Sequence, residues 1–112
     1  MRLSDGTFKL CSLENIADDG HKPVQVLVVV DQCCYEERSL GYNRIYVSMG
    51  QGQQIERVVR TWPVDARPGM YAVTEDGTQW RIATVQRLQN DDGLPCMDLS
   101  LERLGKLYEL SD

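Results

Sequence analysis

Histidine and phenylalanine each occur once in this chain, and no two of its four cysteines stand at the CxxC spacing. His21 has no second histidine and no cysteine at ligand distance in sequence, which argues against a metal centre and against a histidine general base; a solvated loop residue is expected. Cys11, Cys33, Cys34 and Cys96 form neither a zinc signature nor a disulfide framework, so a reducing environment is expected. Cys33 and Cys34 read as inert thiols on opposite faces of one strand rather than as a redox pair. The longest uninterrupted apolar run, Val26–Val30, is far too short to cross a bilayer, and no secretory segment is recognised, so a soluble intracellular protein is expected. A basic block is also missing: Lys and Arg are interspersed among Asp and Glu, and the net charge is -5. Tight binding to a phosphate backbone needs clustered positive charge, so it is disfavoured.

What remains is a chain of 112 residues, enough for one domain over residues 1–112 and not for a second core. No repeat, linker or low-complexity stretch divides it. A domain of this size buries only about two thirds of the surface of its unfolded chain, so association with further copies is a natural way to cover more apolar area.

Strand patterns dominate. Phe8 and Leu10 alternate with Lys9 across Thr7–Cys11. Ser12–Gly20 reads as a loop with one helical turn on Leu13, Ile16 and Ala17. Val24–Tyr35 carries the strongest strand signal; its valines are apolar on both faces, so both faces should be covered, one by the barrel core and the other by a neighbouring subunit. In the excursion that follows, Tyr42, Ile45, Tyr46 and Met49 have the spacing of one face of a short helix, while Gly41, Gly50 and Gly52 fit an irregular connection nearly as well. Ile55–Trp62 is a strand stopped by Pro63, and Pro68-Gly69 marks a turn. Met70–Glu75 and Thr78–Leu88 are strands joined at Asp76-Gly77. After Asn90–Gly93, Met97, Leu99 and Leu101 alternate with Asp98, Ser100 and Glu102, which predicts one wet face and one dry face. Leu104, Leu107 and Tyr108 suggest a helical turn packing back on the domain. The fold class expected is mainly β: a small antiparallel barrel or sandwich, a meander of about six strands with one long excursion.

Residues for chemistry are scarce. Glu36 and Glu37 are adjacent and point to opposite sides of an extended chain, so they cannot serve as an acid and base pair. Aligning Gly93 with the glycine of a calcium loop puts Leu88 and Leu99 at ligand positions. Gly50-Gln51-Gly52 lacks the third glycine of a dinucleotide fingerprint. No catalytic, metal or cofactor residue is assigned, and no enzymatic activity is expected. Trp62, Tyr71 and Trp80 are expected in core or interface packing. Arg57, Arg60, Arg81 and Arg87 are expected to pair across strands with Glu56, Glu75 and Glu102. An open basic and aromatic face would instead make a barrel-type binding module for single-stranded nucleic acid or a peptide.

The run YEERSLGYNRIYVSMGQGQQIERVVRTW, then PVDARPGMYAVTEDGTQWRIATVQ, then CMDLSLER, resembles the head–tail joining proteins of tailed phages and prophages, also called head–tail adaptor, head-closure or stopper proteins. Val58, Val59 and Arg60 match one strand of that pattern, and Tyr71, Val73, Asp76, Gly77, Trp80 and Ile82 match its hairpin. The resemblance implies a virion protein of the neck, assembled in the host cytoplasm into a ring that docks portal or connector to tail-terminator or tail-tube proteins. DNA would be passing cargo only, which an acidic wall tolerates, and no membrane or cofactor is involved. It further implies subunit or partner contacts through Val26, Val28, Val30, Tyr42, Ile45, Tyr46 and Met49. Glu37, Arg38, Arg44, Gly50, Gln51, Gly52 and Gln53 would belong to an excursion facing the lumen or a neighbouring ring, where it would help close the channel.

Overall fold

The computed structural model describes residues 3–17, 20, 22, 24–38, 55–105 and 107–111. Its elements are β1 (Gly6–Asn15), β2 (Gln25–Arg38), β3 (Arg57–Thr61), β4 (Tyr71–Thr74), β5 (Gln79–Gln89), β6 (Pro95–Arg103) and β7 (Glu109–Ser111). The sheet runs β1-β4-β5-β6-β3-β2-β7, and β1 also pairs with β2, so every strand but β7 belongs to a closed ring. The fold is therefore mainly β and barrel-like, as the strand patterns predict. It is not a simple meander: β3 pairs with β2 and β6, whereas β4 pairs with β1 and β5. The Pro68-Gly69 segment thus links strands that are not neighbours.

Side chains from every strand of the ring fill it. Phe8, Leu10, Cys33, Tyr35, Val59, Ala72, Trp80, Ile82, Met97, Leu99 and Leu101 form one buried cluster, closed by Ala66 from the β3–β4 connection. Burial raises the Cys33 thiol to about 12, which keeps it protonated at neutral pH. Two β-bulges adjust which residues point inward. On β2, Leu10 faces Asp31 while Cys11 faces Val29, leaving Val30 as the extra residue. On β5, Ala83 is skipped between Ile82 and Thr84. Each bulge reverses the inward parity of its strand, so Leu27 and Val29 lie outside the barrel whereas Cys33 and Tyr35 lie inside.

The two tight hairpins share one design. Gly77 and Gly93 both take positive φ, at 86° and 77°, a region open to glycine at little cost. Each amide donates to the carbonyl three residues back, Thr74 or Asn90. Asp76 accepts from the Thr74 hydroxyl and the Thr78 amide. These donors lower its carboxyl to about 2.

Three expectations are corrected. Ser12–Asn15 continues β1 and makes no helical turn, because it pairs with Gln25–Val28 and Asn15 Oδ1 accepts from both Ala17 and Val24 amides, tying the end of the hairpin. Cys96–Leu101 is buried on both faces of β6: outside the barrel, Arg60 covers Asp98, and Ser100 lies in register between Val58 and Thr84. The tail packs back with no helix among its described residues and ends in β7; Leu104 and Tyr108 pack, while Leu107 is 78% exposed.

Candidate functional site

The β1–β2 hairpin reaches beyond the barrel. β4 pairs with β1 only along Phe8–Cys11, so Ser12–Asn15 and their partners Gln25–Val28 extend past the ring. β2 is apolar on both faces of this extension, as the valine run predicts, while β1 sets Ser12 and Glu14 opposite Val28 and Val26 on one of them. One face, with Cys11, Leu13, Leu27 and Val29, joins Tyr71 and Val73 of β4 in an outer cluster covered by Leu104 and Tyr108 of the chain's own tail. In the single chain this cover is the chain's own tail. The other face carries Val24, Val26 and Val28, with Ile16 tied across to Val24 by a backbone hydrogen bond of 2.9 Å. Val26 is buried and Val28 half-buried, but Val24, Val30 and Ile16 are 45%, 54% and 60% exposed. Exposed apolar side chains grouped on one projecting element mark a contact surface more than scattered ones do.

The opposite mouth of the barrel is where the chain leaves β2 and returns on β3. Glu36, Glu37 and Arg38 pair with Arg60, Val59 and Val58, so the two roots of the excursion are locked side by side. Arg57 closes this mouth. Its guanidinium lies 5.1 Å from the Tyr35 ring centroid and 5.5 Å from that of Trp80, donates to the Tyr35 hydroxyl at 2.7 Å, and pairs with Glu37. Burial works against the Arg57 charge, but Glu37 and Tyr35 more than offset it and its pKa stands above the ordinary value. Burial raises the Tyr35 hydroxyl, and Arg57 pulls against that rise. Tyr35 in turn donates to Glu75, which also accepts from the Thr7 amide at 2.8 Å. Gly6 leaves room for this group, since a Cβ there would lie 2.3 Å from Glu75 Oε1 and 2.7 Å from the Tyr35 hydroxyl. Asp5 accepts from the Glu37 amide at 2.7 Å. Arg103, with its guanidinium 5.3 Å from the Trp80 ring centroid, pairs with Glu56 at 3.5 Å.

Arg57, Arg60 and Arg81 pair across strands, with partners that differ in part from those expected, while Arg87 lies exposed on β5. Arg57 takes Glu37, Arg60 takes Asp98 through two hydrogen bonds of 2.7 and 3.1 Å, and Arg81 takes Glu102. Glu56 goes to Arg103, and Glu75 to Thr7 and Tyr35. Tyr71 and Trp80 are buried as expected for packing, whereas Trp62 is 40% exposed. A nucleic-acid face built on Arg57, Arg60 and Arg81 would first have to break these pairs. Between the valine hairpin and the β3–β4 connection lies an open cleft of about 630 Å³, with Leu10, Leu13, Val30, Met70 and Tyr71 on its walls and Asp31, Asp65 and Arg67 at its polar positions.

Of the residues singled out from sequence, Val26, Val28 and Val30 lie on the hairpin, and Glu37 and Arg38 lie at the excursion root, at opposite ends of β2. Tyr42, Ile45, Tyr46, Met49, Arg44, Gly50, Gln51, Gly52 and Gln53 fall outside the described residues, as does His21. Sequence reasoning missed Arg57 as the cap of the barrel, together with Gly6, Tyr35 and Glu75. The one available signal was Arg57 in an inward register with Val59, a charged residue at a core position that calls for a partner. The chain matches no protein-family model and no curated protein sequence.

Proposed function

We propose that the chain is a structural protein of the neck of a tailed phage or prophage, forming a ring that joins the DNA-filled head to the tail and helps close the channel. It works by assembly, without catalysis or cofactor. The observation that carries this reading is the projecting valine hairpin. One apolar face is sealed by the tail, and the other leaves Ile16, Val24 and Val30 in solvent. A further copy, or a neck neighbour, removes that surface from water at a gain of about 25 cal/mol per Å². The barrel supports the reading in a second way. It holds both roots of a long β2–β3 connection in register and clamps them through Glu37, Arg57 and Tyr35, a rigid base for a segment that faces a lumen or an adjoining ring. The resemblance in sequence order supplies the rest: portal or connector on one side, tail-terminator or tail-tube protein on the other, and DNA passing through. Negative-stain microscopy of the protein mixed with portal complexes of the same phage tests it. Ring density on the portal is expected; a protein that stays monomeric and never joins the portal refutes the reading.

A second reading, a binding module for an extended peptide, rests on the cleft beside Val30, whose apolar walls and polar positions suit such a ligand. Peptide-array binding lost on Met70→Glu would favour it; an array with no binder would dismiss it.

A further inference from the structure

The C-terminal segment is seated by few contacts, yet what it covers cannot be left bare. β7 is three residues long, runs parallel to β2 with Val26, Leu27 and Val28 opposite Glu109, Leu110 and Ser111, and is exposed throughout. Short parallel pairings are the weaker kind. Just before β7, the buried side chain of Gln79 grips the Tyr108 backbone at both ends: its amide group donates to the Tyr108 carbonyl at 2.8 Å and its oxygen accepts from the Tyr108 amide at 2.9 Å. The Tyr108 ring meets Tyr71 edge-on at 5.8 Å. Beneath lie Cys11, Leu27, Tyr71 and Val73, all buried, so an empty seat would expose a whole apolar cluster. The connection leading to the seat holds on much less: a Cβ on Gly105 would touch nothing, and Leu107 is 78% exposed.

From this contrast we infer that the segment from Tyr108 to Ser111 is exchanged between copies, each barrel accepting the tail of its neighbour on the β2 edge and the Gln79 clamp. The inference rests on the ring reading and adds a second contact between copies that first meet across the open face of the valine hairpin. An exchanged tail makes the same hydrogen bonds and covers the same cluster as a self-seated one, so the two forms differ mainly in linkage. A tail tethered to its own barrel acts at an effective concentration on the order of millimolar. Dilute protein is therefore self-seated, and closely packed copies exchange. The span from Leu104 to Tyr108 reaches at most roughly 14 Å, so only a directly adjoining barrel can receive it. Donation from each copy to the next is a head-to-tail contact, which closes into a ring when the rotation between copies permits.

The test uses Val28→Cys with Ser111→Cys, which face each other in register at the spacing of adjacent strands, within disulfide range; exposed Cys34 is changed to Ser. Protein is refolded at micromolar and at roughly millimolar concentration, oxidised, and run on a denaturing gel without reductant. The expected result is a monomer band at low concentration and a covalent ladder at high concentration, with mixed isotope-labelled copies linked in the ladder. A crosslink that stays within one chain at both concentrations overturns the exchange. If those same samples sediment as rings, the ring reading survives without it; if they sediment as monomers, both fall.

Discussion

Replacing Arg57 by Ala should open the excursion-side mouth of the barrel, and the loss can be worked out contact by contact. The guanidinium stacks on Tyr35 and Trp80, each contact contributing about 0.5–1 kcal/mol in a partly exposed setting. Its hydrogen bond to the Tyr35 hydroxyl adds about 1 kcal/mol. The pair with Glu37, whose side chain is 43% exposed, adds about 0.5 kcal/mol after solvent screening. Releasing a long, ordered side chain returns about 1 kcal/mol of rotamer entropy. The net loss is about 2 kcal/mol, a fall of about 8 °C in Tm for a domain of this size. Urea unfolding followed by tryptophan fluorescence measures it. Arg57→Lys should recover less than half, because an ammonium keeps the charge but not the flat fork that lies between two rings. Arg57→Ala within about 0.5 kcal/mol of the parent, the range of an ordinary surface change, would refute the view that Arg57 caps the barrel.

The remaining expectations follow from burial and pairing. Tyr108→Ala removes the edge contact with Tyr71 and uncovers the outer cluster; urea unfolding should show a loss of about 1.5–3 kcal/mol, with a rise in apolar-dye binding. Asp98→Ala leaves Arg60 largely buried without its acid, at a cost of about 2–4 kcal/mol, whereas Arg60→Met with Asp98→Leu should come within about 1 kcal/mol of the parent; thermal melts of the three variants separate these outcomes. Of the four cysteines only Cys34 is exposed, so a thiol reagent at neutral pH should label one thiol per folded chain, and Cys34→Ser should abolish the reaction. Cys33, held protonated up to about 12, should react only after unfolding.

Local features were legible in the residue pattern, and those that depend on distant partners were not. Alternation in Phe8–Leu10 and Met97–Leu101 located strands, and Gly77 and Gly93 located the hairpins, because these signals are set within a few residues. The spacing of Leu13, Ile16 and Ala17, and of Leu104, Leu107 and Tyr108, imitated a helix. Pairing with Gln25–Val28 in one case, and the Gln79 clamp with the β2 edge in the other, held those segments extended. Strand order was equally hidden, since nothing around Pro68-Gly69 reveals that β3 and β4 find different neighbours. For the candidate site, the valine run announced a β2 apolar on both sides, but neither side of that run joins the barrel core, and Ser12 and Glu14 of β1 share one of them. Which one the tail would cover depended on the bulge at Val30, which resets the parity of β2. The cap at Arg57 depended on Tyr35, Glu37 and Trp80 arriving from two other strands.

Sedimentation velocity on the wild-type protein and on a Val24→Glu, Val30→Glu variant, each alone and with portal complexes, reaches the centre of the account. Both positions are exposed, so the variant should melt within a few degrees of the parent. The parent should populate one discrete ring or portal-bound species, and the folded variant should sediment as a monomer throughout. A parent that never leaves the monomer boundary, or a variant that assembles as readily as the parent, would contradict the claim that copies meet across the open face of the valine hairpin.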